Sequence, residues 1–195
     1  GGVYNCAQQA SATVAGGAIN SASSWYSTIS GGYCNSICHS TAQNCAGYSV
    51  VAGGLGNNTT GGTWNGVNAW TVAPTKTNVG CASFIGSGFQ NQAGANWSTT
   101  VGGCKNINIG AYSFLGGGRS NTISGYSSTL SGGYNNAVSG NYSTISGGYN
   151  NKAQSTFSFV GGGHSNCATA SYSVVGGGYI NCATNNFATV AGGSN

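Results

Sequence analysis

A short repeat constrains this chain more than any other feature. An apolar residue followed by small residues and glycine recurs at Val14, Ile29, Val51, Val72, Ile85, Val101, Leu115, Leu130, Ile145, Val160, Val175 and Val190. From Leu115 onward the spacing is 15 residues every time; upstream it runs 15, 22, 21, 13, 16 and 14. Around each anchor the unit reads roughly aromatic, Ser, Thr/Phe/Val, anchor, small, Gly, Gly, then a variable pair, Asn, and a small or β-branched residue. Clear copies are Tyr142-Ser143-Thr144-Ile145-Ser146-Gly147-Gly148 and Tyr172-Ser173-Val174-Val175-Gly176-Gly177-Gly178. An Asn stands six places after the anchor at Asn20, Asn35, Asn57, Asn91, Asn121, Asn136, Asn151, Asn166 and Asn181.

A unit of this length with one β-branched segment and a Gly-Gly break cannot make a helical repeat, since both residue types disfavour helix. It can make one coil of a solenoid, and a fixed short period is the sequence signature of such stacks. Ten of the twelve anchors are Val or Ile, which suit a pleated surface, and the Ser that stands two places before eight of them shares their face. The pattern predicts an all-β, parallel β-solenoid or β-roll of about 12–13 coils with a 15-residue repeat, roughly 60 Å long at ~4.8 Å per coil. One strand holds the anchor; a second lies near Ile123, Val138, Ala153, Ala168 and Ala183. The recurrent Asn has two readings, a left-handed turn residue or a hydrogen-bonded ladder along the axis. Residues 1–195 read as a single repeat domain, with irregular coils and insertions at about 36–47 and 56–82 and regular repeats over 101–195. The length equals 13 periods, and both ends fall inside a repeat without a polar cap, as expected of a segment of a longer fibre or filament.

Composition narrows the chemistry. The chain has 37 Gly, 8 Cys, four Lys+Arg and no Asp or Glu. Paired-carboxylate hydrolysis, Ser-His-Asp relays and oxygen-ligated Ca²⁺ all need carboxylates, so no enzyme activity, cofactor or metal is expected. Lys76, Lys105, Arg119 and Lys152 are scattered, leaving no electrostatic footprint for nucleic acid. No apolar run reaches a membrane span, so no membrane insertion is expected. The recurrent rings at Tyr112, Tyr142, Phe157, Tyr172 and Phe187 read as surface for another chain to cover, or as a stack along the outside of one solenoid.

The run Ser143 to Asn151, Ser-Thr-Ile-Ser-Gly-Gly-Tyr-Asn-Asn, is nearly repeated at Ser128 to Asn136. It resembles the head repeats of YadA-like trimeric autotransporter adhesins and the related Gly-Gly/Asn repeats of phage and large-virus surface fibres. The resemblance covers most of the chain, weakest at about 56 to 82, and departs from the adhesin heads in its longer, Gly-Gly form. It implies a parallel β-roll or β-solenoid, commonly trimeric, that projects from a cell or virion surface and binds a host or matrix.

Eight cysteines invite pairing. Cys167 and Cys182 are one period apart at the same repeat position, within Cα range of a disulfide, or else two unpaired thiols in one column. Cys38 and Cys45 bracket an insertion that a bridge would close; Cys81 with Cys104, and Cys6 with Cys34, are residual pairings. An even count in such a fibre points to an oxidising setting. Cys34, Cys38, His39 and Cys45 can also be written as a zinc quartet, which the adjacency of Cys38 and His39 disfavours. His164 takes a variable position where Tyr149 and Tyr179 stand elsewhere, and is expected to face solvent. Sequons at Asn58, Asn96 and Asn141 are glycan acceptors if the chain is secreted, or accidents of an Asn/Ser-rich repeat. Trp64, Trp70, Trp97 and Pro74 fall where the spacing is irregular. A host-glycan or matrix-protein contact is therefore placed at the insertions near 38–45 and 56–80, with inter-chain packing as the equal alternative.

Three function classes compete. The leading one is a non-enzymatic fibre or adhesin segment, a homo-oligomer, for which a trimer is expected, on an extracellular, cell or virion surface. The second is a filament subunit that binds copies of itself. The third is an ice-binding solenoid, suggested by Thr13, Thr28, Thr71, Thr100, Thr129, Thr144 and Thr189, but broken by Val50, Phe84, Phe114, Phe159 and Val174.

Overall fold

The computed structural model describes residues 1–38, 47–60, 62–64, 70–72, 75–77 and 79–194; among them every regular element is a β-strand. Successive coils stack with three parallel ladders along the axis. The first face carries the anchors in eleven two-residue strands, from Thr13–Val14 to Thr189–Val190, in chain order and in register. The second face has a three-stranded piece (Cys6–Ala7, Ser21–Ala22, Ser36–Ile37) and a seven-stranded piece running from Gln92–Ala93 to Cys182–Ala183. The third is a chain of single-residue bridges through positions such as Tyr33, Leu55, Phe89, Arg119, Tyr134 and Tyr179. The fold is the all-β parallel solenoid that the repeat predicts, with about eleven turns, not twelve or thirteen. At ~4.8 Å per rung the ladder is about 50 Å long.

The missing turns went into insertions. Ile29 pairs with Val51 across 22 residues, and Val51 with Ile85 across 34, where a bare coil would use 15. The longer insertion includes an antiparallel arm: Thr59–Thr60 pairs with Thr75–Lys76, and Thr63–Trp64 with Trp70–Val72. Val72, expected as an anchor, lies on that arm and is exposed. Two chance spacings of 21 and 13 had mimicked two coils.

Val101 is a second correction. The first-face strand in that coil is Thr99–Thr100, with Thr100 paired to Ile85 and Leu115, each 15 residues away. Thr100 is 0% exposed and Val101 is 44% exposed. Hydrophobicity had favoured the valine; register decides for the threonine, because a one-residue slip turns every side chain to the other face. The Thr100 hydroxyl avoids an unpaired burial by donating to the Gln92 carbonyl at 3.1 Å. One rung on, Asn108 takes the inner second-face position and bonds Thr99 O at 3.0 Å.

The other anchors form the core. Ile29, Val51, Ile85, Leu115, Leu130, Ile145, Val160 and Val175 are buried, while Val14 and Val190, in the terminal rungs, are partly so. Facing them from the second face are Ala22, Ile37, Ala93, Ile123, Val138, Ala153, Ala168 and Ala183. Val79 returns from the long insertion into the same cluster as Ile37 and Ala93. The polar pair Thr100 and Asn108 divides this core into two clusters, one ending at Ala93 and the other beginning at Leu115.

The recurrent Asn forms the ladder and not the turn. Asn121 Nδ2 donates to Gly117 O in its own coil at 2.9 Å and to Gly133 O on the next rung at 2.8 Å. Its Oδ1 accepts the backbone N–H of Asn136 at 2.9 Å. The same contacts recur from Asn20 to Asn181, including Asn106, which the Val101 misalignment had hidden. The left-handed position falls instead on the residue before each Asn, for example Lys105 (φ +55°), Asn135 (φ +58°) and Ile180 (φ +58°).

The second glycine of each pair completes the motif. At Gly103, φ is +88° and a Cβ would overlap the carbonyl oxygen of Gly118 and crowd Asn106 Nδ2 at 2.7 Å. Gly102, its neighbour, has no such strain and nothing closer than 3.6 Å. Replacing Gly103 by Ala should therefore lower stability by about 3 kcal/mol or more, with Gly102→Ala within about 0.5 kcal/mol of the parent. Urea unfolding of the two variants checks this. Asn136→Asp should be as harmful as Gly103→Ala, since a carboxylate keeps the acceptor but faces Gly132 O and Gly148 O without a donor.

Candidate functional surface

With the interior given to geometry, chemistry is left to outward-facing columns. The most continuous runs along one corner. Trp97, Tyr112, Tyr142, Phe157, Tyr172 and Phe187 each have φ between +53° and +59°, a conformation that swings their rings outward at one rung per coil. Trp97 stacks on Tyr112 at 4.7 Å, Tyr142 on Phe157 at 5.1 Å, Phe157 on Tyr172 at 4.9 Å and Tyr172 on Phe187 at 5.0 Å. Ser127 would break the row, but the ring of Tyr126 fills in, edge-on to Tyr112 at 5.3 Å and to Tyr142 at 5.7 Å. Tyr26 and Tyr48 form a separate stacked pair at 5.0 Å on an earlier stretch.

In the described chain these rings stack along its outside. Interplanar angles of 10–17° in the stacked pairs from Trp97 to Phe187 mean that ring faces cover one another while the edges stay exposed. Within the stacked pairs the ring faces are closed to a sugar, whereas at Tyr126 the contacts are edge-on. The ridge offers about half of each ring to another apolar surface.

A second row occupies the third face: Tyr134, Tyr149, His164 and Tyr179, with neighbouring centroids 4.6–5.4 Å apart. His164 is exposed and wedged between two tyrosine rings. Arg119 lies over Tyr134 at 5.6 Å, a cation–π contact at the start of the row. The outer column of the first face reads Thr13, Thr28, Val50, Phe84, Thr99, Phe114, Thr129, Thr144, Phe159, Val174 and Thr189. Thr100 and Thr71 are not part of it, and no more than two Thr adjoin.

The cysteines do not pair as expected. Cys167 and Cys182 are register partners on the second face, yet both are free thiols. In-register rungs put their Cα atoms ~4.8 Å apart, inside the disulfide range, yet the two side chains do not bring their sulfurs to bonding distance. Burial first, then the neighbouring Cys182, pushes the Cys167 thiol up to about 11. Cys81 lies at a corner beside Gly47, with Sγ 3.7 Å from Gly47 O, whereas Cys104 is a free thiol in the third-face ladder; the two stand in different columns. Cys6 is likewise a free thiol on the second face, paired in register with Ser21, while Cys34 takes a left-handed corner position. Cys45, His39 and Pro74 lie outside the described residues, so the Cys38–Cys45 bridge and the zinc quartet do too. Among the described residues no group of three or more ligating side chains gathers.

The sequons divide. Asn58, 1% exposed, is not a glycan acceptor in this fold. Its Nδ2 donates to Ser36 O at 3.0 Å and its Oδ1 accepts from Ala93 N at 3.0 Å, so its side chain spans the gap where the second sheet is interrupted. Asn96 and Asn141 are exposed, and each uses only Oδ1, toward Cys81 N at 2.8 Å and Tyr126 N at 2.9 Å. Sequence reasoning missed this role of Asn58 because Asn57, one place before it, carries the ladder signal.

No family model matches the chain, nor does any curated protein at a significant level.

Expression through a glycosylating secretory pathway should place glycan on Asn96 or Asn141 and leave Asn58 bare, read by peptide mass spectrometry after glycosidase treatment. Asn58→Ala should cost about 2 kcal/mol or more, because two buried backbone groups lose their partner.

Proposed function

We propose that this chain is a segment of a non-enzymatic fibre or adhesin, a stiff rod that projects from a cell or virion surface, assembles with copies of itself and mediates attachment. The observation that carries this reading is the exposed aromatic ridge from Trp97 to Phe187 on a rod held by an unbroken Asn–Gly ladder. A rod of this kind puts its binding energy into repeated outward columns, and an apolar ridge of seven rungs, about 30 Å long at ~4.8 Å per rung, favours a partner of the same period, another copy of the chain. The resemblance to trimeric adhesin heads supports three chains around that ridge.

The chemistry of the outward residues agrees. No carboxylate exists to serve a hydrolytic or proton-relay site. Host contact then falls to the insertions near 38–45 and 56–80, the second of which carries the antiparallel pairs Thr59–Thr60 with Thr75–Lys76 and Thr63–Trp64 with Trp70–Val72, outside the column pattern. The broken Thr column argues against ice binding, which wants a flat and regular array.

The test combines light scattering with electron microscopy. The parent chain should read as three copies, and Tyr142→Ser/Phe157→Ser/Tyr172→Ser should fall to single chains with an unchanged β-type circular dichroism spectrum. A parent that stays a single chain at millimolar concentration overturns the assembly. Images of unbranched end-to-end filaments, insensitive to these substitutions, favour the self-assembling subunit instead.

A further inference from the structure

Cys167 and Cys182 are register partners on the outer side of the second face, and Lys152 is the register partner of Cys167 on its other side. Among the described residues no other two cysteines are paired this way: Cys104 lies between Phe89 and Arg119, and Cys6 beside Ser21. In-register pairing sets the two residues one rung, ~4.8 Å, apart, and Cys167 Sγ donates to Gln154 Oε1 at 3.6 Å. Cys182 is exposed and Cys167 half-buried, so the pair opens to solvent.

We propose that this pair is a two-thiolate site for a monovalent soft metal ion, Cu(I) or Ag(I), independent of the fibre reading. Soft thiolates select such ions. A metal–sulfur bond of about 2.3 Å, the value for zinc, places two sulfurs on opposite sides of one ion about 4.6 Å apart. That span matches a rung of ~4.8 Å, so two side chains that leave adjacent rungs side by side can hold one ion without converging. Binding replaces two S–H bonds with two metal–sulfur bonds and releases two protons, with no change of oxidation state. The neutral dithiol and one monovalent cation become a complex of charge −1, and the Lys152 ammonium on the adjacent rung offsets that charge. A divalent ion would leave no charge for Lys152 to balance. Like-charge repulsion between two neighbouring thiolates, part of what holds the Cys167 proton on, is relieved by the ion between them.

Silver nitrate serves as the probe, titrated into the reduced full chain in chloride-free buffer; a millimolar monothiol, which strips singly held ions, is added only for the mass measurement, because its own thiol would exchange protons with silver in the other two. Native mass spectrometry should retain one Ag(I), an indicator dye should register two protons released, and affinity should rise by about a hundredfold per pH unit between pH 6 and 8. Cys167→Ser and Cys182→Ser should each abolish the retained ion; serine fills this column at Ser21 and Ser36, so folding tolerates it. Lys152→Gln should weaken binding several-fold, and Cys6→Ser should change nothing. Retention of the ion in either single variant, release of fewer than two protons, or a pair already oxidised, two hydrogens lighter by mass after purification under reductant, would overturn the proposal.

Discussion

One buried carboxamide per coil holds this molecule together. It must give two N–H bonds, one to its own coil and one to the next, while its oxygen takes a backbone N–H from the next rung. Asp lacks the donors, and Ser lacks the reach for three partners. The amide occupies the space that a side chain on the second glycine would need, so Asn and Gly–Gly are one structural device. Because each link joins consecutive rungs, the device works only at a constant period. Insertions are allowed between links, as the 22- and 34-residue separations show, provided that the chain returns to the same corner.

The same stacking explains the scarcity of charge. In a parallel solenoid each outward column brings equivalent side chains ~4.8 Å apart, so a charged column would become a ladder of like charges. Rings gain from that spacing and ions lose. Lys105, Arg119 and Lys152 accordingly stand in three different columns, with neighbours such as Ser120, Tyr134 and Ala137 that carry no charge. The aromatic rows and the missing acids are two results of one geometry. The left-handed corner fixes where the longer row runs, and the single-residue bridges of the third face fix the other.

Period and residue type made the parallel architecture, most anchors and the inward Ser legible in the sequence, since they are local and repeated. Errors arose where a single coil departs from its neighbours. Thr100 looked like an outer residue because Val101 beside it is more apolar, and only pairing with Ile85 and Leu115 places it inside. Val72 looked like an anchor because two spacings on the arm sum to a plausible value. Asn58 read as a surface sequon, and its burial depends on Ser36 and Ala93, 22 and 35 residues away. The cysteine column at Cys167 and Cys182 was legible as a column, but whether sulfurs meet depends on fractions of a rung that spacing alone does not contain.

The one coil with a polar interior follows from this view. Thr100 and Asn108 interrupt an apolar column that is otherwise continuous on both sides, and both find partners within their own or the adjacent coil. The Ser113 hydroxyl bonds Asn108 Oδ1 and the carbonyl of Gly110. Stability in a stacked repeat is close to a sum of coil and interface terms. A coil whose buried interior is polar and hydrogen-bonded therefore separates two apolar clusters, that of the insertion-bearing coils before it and that of the regular ones after. The Asn ladder passes through that coil unbroken, from Asn91 to Asn106 to Asn121. The rod keeps its register at the very place where its hydrophobic core is divided, because register belongs to the amides and not to the core.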